Sequence, residues 1–188
     1  MYHIKDDKRA AKSSELIYQG LISCMKDKDF SKISITDIQR TSTVGRATFY
    51  RHFDSMIDVL HWKCDQEYHN VMNSYVSMET HEQAKDEFFI YFFDYWTGHS
   101  EVLETLIRLG RYDIIYQCHY SNAPILYEYF KQAFKIPKRN YKYYMGFRIG
   151  AFVGVLITWI NGGKKESSKE LVKIIVDLLK DADADLLI

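Results

Sequence analysis

Ser34-Ile35-Thr36-Asp37-Ile38-Gln39-Arg40-Thr41-Ser42-Thr43-Val44-Gly45-Arg46-Ala47-Thr48-Phe49-Tyr50-Arg51-His52-Phe53 decides how this chain is read. The Ser34 hydroxyl can cap backbone N–H groups, and Asp37, three residues on, can reach back as in a capping box. A short helix follows, with Ile35 and Ile38 inward, ending near Thr41-Ser42. Thr43-Val44-Gly45 then forms a turn, and Gly45 is an acceptable N-cap. A further helix carries Phe49 and Phe53, four apart, on its buried side. Between Asp37 and Asp54 there is no acidic residue, whereas Arg40, Arg46, Arg51 and His52 all fall there. Two short helices joined by a tight turn, with a basic face, suit a major groove. The same pattern also fits an ordinary three-helix core with a solvated basic face.

Outward from this stretch the period remains helical. Upstream, residues 8–28 carry Leu16, Ile17, Leu21, Ile22 and Met25 on one stripe, and Asp29 ends it with a residue that tolerates the left-handed conformation. Downstream, Asp54-Ser55 restart the chain into a helix from Met56 to Met78. Helices are expected over His81–Trp96, over Glu101–Leu109 closed by Gly110, and over Asp113–Phe134 with a break around Ser121-Asn122-Ala123-Pro124. Pro137 suits the first turn of a long helix reaching Asn161, where Gly162-Gly163 stop it. Ser167-Ser168-Lys169-Glu170 reads as a capping box opening a last helix through Lys180. No stretch alternates at period two. With 2 prolines and 9 glycines in 188 residues, an all-α fold of about nine helices is expected. It comprises an N-terminal three-helix domain with a helix-turn-helix and a C-terminal helical domain.

The run Arg46-Ala47-Thr48-Phe49-Tyr50-Arg51-His52-Phe53, with Ser34-Ile35-Thr36-Asp37-Ile38 and Val44 before it, resembles the DNA-binding segment of the TetR family of bacterial transcriptional regulators. The resemblance covers roughly Ala10 to Leu60. It implies a homodimeric, ligand-responsive regulator, usually a repressor, acting on a palindromic double-stranded DNA operator. By that resemblance residues 1–54 form the DNA-binding domain and residues 55–188 the effector-binding and dimerisation domain. Tyr50 and His52 would contact the operator backbone, and Arg46, Ala47 and Thr48 would sit at the base-reading end. Ser34 and Thr36 would begin a supporting helix whose N-terminus can hold a phosphate. The chain departs from the family pattern at Thr43, in place of the turn glycine, and at Gly45, in place of the N-cap serine. It departs again at Met56, where a lysine is frequent, and at Asp29, where a glycine ends the first helix.

In the C-terminal part, Phe89, Phe92, Phe93 and Trp96 form one aromatic stripe, and Tyr112, Tyr116 and Tyr120 another. Core packing explains such stripes. A cavity for an unknown small-molecule effector, with Phe89, Phe92, Phe93, Trp96, Tyr112 and Tyr116 as lining, explains them too. The helix around Met145–Ile160 is apolar nearly all round and must be covered on every side. Gly146, Gly150 and Gly154 repeat every four residues along it. Each costs roughly 1 kcal/mol against Ala unless another helix approaches closely. With Leu171, Ile175 and Leu178 of the last helix they define a candidate dimer interface; tight packing within one chain is the alternative. The run Met145–Trp159 followed by Gly162-Gly163 is similar to the C-terminal domain of TetR-like regulators of the dihydroxyacetone-kinase activator group from Firmicutes.

Other classes are set aside. Cys24, Cys64 and Cys118 form no pair at a ligand spacing and read as reduced thiols of a cytoplasmic protein. The N-terminus has no apolar signal region, and the 16-residue apolar stretch with Arg148 inside it is short for a membrane span. His61, Cys64 and His69 read as structural residues, so no metal, no cofactor and no catalytic residue is expected, and the protein is not read as an enzyme. Lys131, Lys135, Lys138, Arg139 and Lys142 read as a solvated basic run. A DNA-binding regulator controlled by a protein partner, without a small-molecule effector, is the alternative function. The formal net charge is zero, from 25 basic and 25 acidic residues. Residues 1–65 nevertheless hold 11 Lys+Arg against 9 Asp+Glu, and Ile38–Phe53 holds three arginines and no acid. That places a small basic head on a body acidic enough to cancel it.

Overall fold

A computed structural model describes residues 1–4, 8–78, 85–130 and 141–185. Among them are nine α-helices: α1 (Lys8–Met25), α2 (Ile35–Ser42), α3 (Arg46–His52), α4 (Met56–Val76), α5 (Lys85–His99), α6 (Glu101–Arg108), α7 (Tyr112–Phe130), α8 (Tyr141–Asn161) and α9 (Ser168–Asp185). A 3-10 turn at Phe30–Lys32 precedes α2, and the only extended pairing among the described residues is an isolated bridge from Tyr2 to Phe53. The chain packs as two compact units, Met1–Gln66 and Glu67–Ile188. The sequence reading drew its line after Asp54. Within the first unit Val59, Leu60 and Trp62 of α4 are buried, and Trp62 lies edge-on to Phe53 at 6.0 Å. The start expected near His81 and the basic run from Lys131 to Arg139, with Pro137, lie outside the described residues.

Several helix ends follow directly from local chemistry. Ser34 Oγ accepts from Asp37 N (3.2 Å) while the Asp37 carboxylate accepts from Ser34 N (2.9 Å), a complete capping box. Ser167 and Glu170 repeat the reciprocal pair at α9, and at the start of α4 the Asp58 carboxylate accepts from Ser55 N and Oγ. Gly110 takes the left-handed conformation that closes α6 (φ 67°). Two expectations are corrected. Asp29 is not left-handed: α1 ends at Met25, and Asp29 (φ −59°, ψ 141°) instead caps the 3-10 turn. Nor does α7 break at Ser121–Pro124, since Pro124 lies within a continuous helix. Beside it the buried Asn122 amide donates to Cys118 O at 2.9 Å, anchoring that turn to the helix.

The second unit is built around aromatic side chains. Phe92, Phe93 and Trp96 of α5 are fully buried, with Tyr68 and Tyr75 of α4, Leu103 and Leu106 of α6, Ile114, Ile115 and Cys118 of α7, and Ile149, Val153 and Leu156 of α8. The start of α9 is fastened to α5 by Ser168 Oγ donating to Asp94 Oδ1 at 2.5 Å. Helix α8 is not enclosed. Lys142–Asn161 is long and apolar enough to cross a bilayer by length and composition, yet only 28% of that window is buried within the chain. Its open side carries Tyr143 and Phe147, 70% and 71% exposed.

Candidate nucleic-acid interface

The first unit forms a support for α3. Ile17, Tyr18 and Leu21 of α1, Ile38 of α2 and Phe49 and Phe53 of α3 close its core. Helix α2 lies hard against α1 at Gly20, where a Cβ would stand 2.8 Å from Ser42 Cβ, so only glycine permits that approach. Thr41 Oγ1 bridges the two helices by donating toward Gly20 O at 3.2 Å. Asp37, almost buried, accepts from Lys28 Nζ and Arg40 Nη2, each at 2.7 Å. The bond from Lys28 foremost, with those from Ser34, holds its carboxyl far below the ordinary value of 3.8. Part of the basic charge expected to face outward at Arg40 is thus engaged with Asp37.

The turn keeps its shape despite the loss of the expected glycine. Thr43 caps α2 in the left-handed conformation (φ 61°, ψ 8°), with its N–H donating to Gln39 O at 3.1 Å. For a β-branched residue this conformation is strained. Gly45 caps α3 from an extended backbone (φ −66°, ψ 150°), without a side-chain bond.

At 100° per residue, Arg46, Ala47, Tyr50 and Arg51 share the outer face of α3, and all four are exposed. Arg46 Cζ stands 5.5 Å from the Tyr50 ring centroid, and Nη2 donates to Tyr50 Oη at 3.4 Å. Thr48 is half-buried at the edge; Ser34 and Thr36 are exposed at the start of α2. His52 is the exception. It follows Phe49 by three residues, which turns it to the same inward face. It is 5% exposed, with Nε2 3.0 Å from Ser13 Oγ. His52 thus faces the interior of the first unit, unlike Tyr50, with which it was expected to share the operator backbone. Its carbonyl accepts from His3 N at 2.8 Å, tying the N-terminal residues to the end of α3. Arg51, absent from the expected contacts, was legible from the same helical period.

The residues expected around an effector divide between core and surface. Phe92, Phe93 and Trp96 are buried and Phe89 is half-buried, whereas Tyr112 (46%) and Tyr116 (36%) are exposed on α7. The rings close on one another: Phe92 lies 4.8 Å from Phe152 and 6.0 Å from Trp96, centroid to centroid. His119, which the sequence reading passed over, sits among them. Burial, aided by the charge of Arg148, lowers its pKa from 6.5 to about 3, so the ring is neutral at physiological pH. Among the residues expected at a subunit interface, Gly150, Gly154 and Leu178 are open, and none of the described residues lies within 4 Å of where a Cβ would stand on either glycine. Gly146 meets only Tyr116 Oη, at 3.9 Å. Ile175 is half-buried, and Leu171 is buried in its own chain; Ile174, on the same helix, is exposed.

A family model described as transcriptional regulator C-terminal region, of the TetR type, matches residues 83–181, just over half of the chain. The chain belongs to the TetR family of transcriptional regulators. Solved structures share the fold of this TetR-family regulator. Lin0861 from Listeria innocua is similar with a TM-score of 0.73 and 16% identity, over 95% of this chain and 94% of that one. A TetR transcriptional regulator from Streptococcus agalactiae 2603V is similar with a TM-score of 0.61 and 20% identity, over 89% of this chain and 93% of that one. No curated protein matches the chain. The fold of this TetR-family chain is that of a DNA-binding regulator, with α2 and α3 as its helix-turn-helix.

Proposed function

We propose that this regulator is a homodimeric, ligand-responsive repressor that reads a palindromic operator through α3. The observation carrying the reading is the outer face of α3, where Arg46, Ala47, Tyr50 and Arg51 are exposed and no acidic residue intervenes. Arg46 with Ala47 and Thr48 would read base edges, and Tyr50, Ser34 and Thr36 would hold phosphates. His52 would keep α3 seated. Residues 1–54 would serve as the reading head, with effector binding and dimerisation in 55–188. The exposed side of α8, with Tyr143, Phe147, Gly150 and Gly154, together with Ile174 and Leu178 of α9, supports pairing with a second copy. Two-fold symmetry would set the recognition helices about one helical turn, ~34 Å, apart. Sequencing genomic fragments bound by the protein tests the reading: a palindromic consensus is expected, retained by gel shift. Unselective retention of fragments, unaffected by Arg46→Ala and Tyr50→Phe, would refute it.

A further inference from the structure

Among the buried polar atoms of the second unit that make no hydrogen bond with the described residues are Nε1 of Trp96, on α5, and Nδ1 of His119, on α7. Both side chains are buried, Trp96 completely and His119 to 7% exposure. They belong to one cluster. Tyr68 of α4 stands 5.1 Å from Trp96 and 5.2 Å from His119, and Phe92 stands 6.0 Å and 5.9 Å from the same two rings. Leaving a buried polar group without a partner costs about 1–3 kcal/mol, and native interiors rarely carry two in one place without a use for them. The cluster is closed toward α8 by Phe152, half-buried and 5.2 Å from His119. One turn before Phe152 on the same helix lies Arg148, near enough for its charge to act on His119.

The chemistry of these groups narrows what could bind. An indole N–H only donates, so the ligand must offer an acceptor. A cation would meet the Arg148 charge, whereas an anionic oxygen would gain from it and from the donor together. The surrounding rings favour an aromatic body packed edge to face. We propose that Trp96 and His119 form the effector seat, and that it takes a small aromatic carboxylate. Its carboxylate would accept from Trp96 Nε1 and from the His119 ring, its ring would displace Phe152 toward solvent, and Arg148 would balance its charge. The inference rests on the ligand-responsive reading above and gives it a location and a chemical class. It also moves the seat inward from the exposed Tyr112 and Tyr116, and it places α4, α5, α7 and α8 around one ligand.

Thermal melting and isothermal titration of the full chain test this, with benzoate and phenylacetate as probes and benzamide and phenylacetamide as uncharged counterparts. At a hundredfold excess over Kd a carboxylate should raise Tm by about 5 °C, and its amide by less. Trp96→Phe and His119→Leu should each weaken carboxylate binding at least tenfold. Arg148→Gln should remove the preference for carboxylate over amide. Without ligand, His119→Leu should melt no lower than the parent chain, because it deletes an unbonded polar atom; that variant remains informative if Trp96→Phe fails to fold. Equal carboxylate shifts in the parent and both variants would place binding elsewhere and overturn the seat while leaving ligand response intact. No shift from either carboxylate would overturn the chemical class. Ligand response itself fails on a separate result: a chemically diverse library that changes neither Tm nor operator binding, which favours control by a protein partner.

Discussion

Thr43 shows how one side chain can carry strain at a turn whose geometry is otherwise intact. Its φ of 61° is a conformation that costs an L residue with a branched Cβ roughly 1–2 kcal/mol. Thr43→Gly should therefore stabilise the first unit by about 1 kcal/mol after its larger unfolded-state entropy is subtracted. An upward shift of the urea midpoint at unchanged slope would be the result expected. His52 and Tyr50 separate support from contact. His52→Ala breaks a buried packing and hydrogen-bond site, so it should lower stability by about 1–3 kcal/mol and leave the salt dependence of DNA binding unchanged. Tyr50→Phe should do the reverse if its hydroxyl meets a phosphate, weakening binding across all sequences. Arg46→Ala should instead erode discrimination between operator and unrelated DNA, by about 1–3 kcal/mol in a competition gel shift. The period of α3 was enough to place Arg46, Tyr50 and Phe49. The same period placed His52 beside Phe49, but its bond to Ser13, on a different helix, was not visible without the packing.

At the scale of the element, α2 depends on a carboxylate whose partners come from three directions. Asp37 accepts from Lys28, Ser34 and Arg40, and its folded pKa lies below the unfolded value of 3.8. A depressed carboxyl contributes stability that is fully present above the unfolded pKa and is lost as pH falls through the folded one. Unfolding of the chain should therefore become easier as pH drops below about 4. Asp37→Asn should flatten that dependence while lowering stability at pH 7, as read from urea titrations between pH 3 and 7. The capping box was legible from Ser34 and Asp37 alone; the Lys28 contact required the fold. On α8 the glycine spacing was legible too, but not its use. Among the described residues nothing lies within 4 Å of where a Cβ would stand on Gly150 or Gly154. Gly150→Phe should accordingly leave the helical circular dichroism spectrum unchanged and convert dimers to monomers in sedimentation velocity. An intact dimer would remove α8 from the interface.

For the molecule as a whole, the zero net charge conceals a division of labour. Ile38–Phe53 holds three arginines and no acid, whereas residues 66–188 are net acidic. Few placed contacts, rather than bulk attraction, should then govern DNA binding. The logarithmic salt slope per head should be modest, shallower than about −3, because Arg40 is already engaged with Asp37. The sequence alone determined the helical class and which side chains share the outer face of α3, because both follow from periodicity and caps within a few residues; the helix-turn-helix was legible through the family resemblance of Arg46–Phe53. Only the tertiary structure decided that His52 is interior, that Leu171 belongs to its own chain while Ile174 is exposed, and that Trp96 and His119 share a buried cluster. Those facts depend on which helices meet, and helices distant in sequence meet through side-chain packing that no local pattern records.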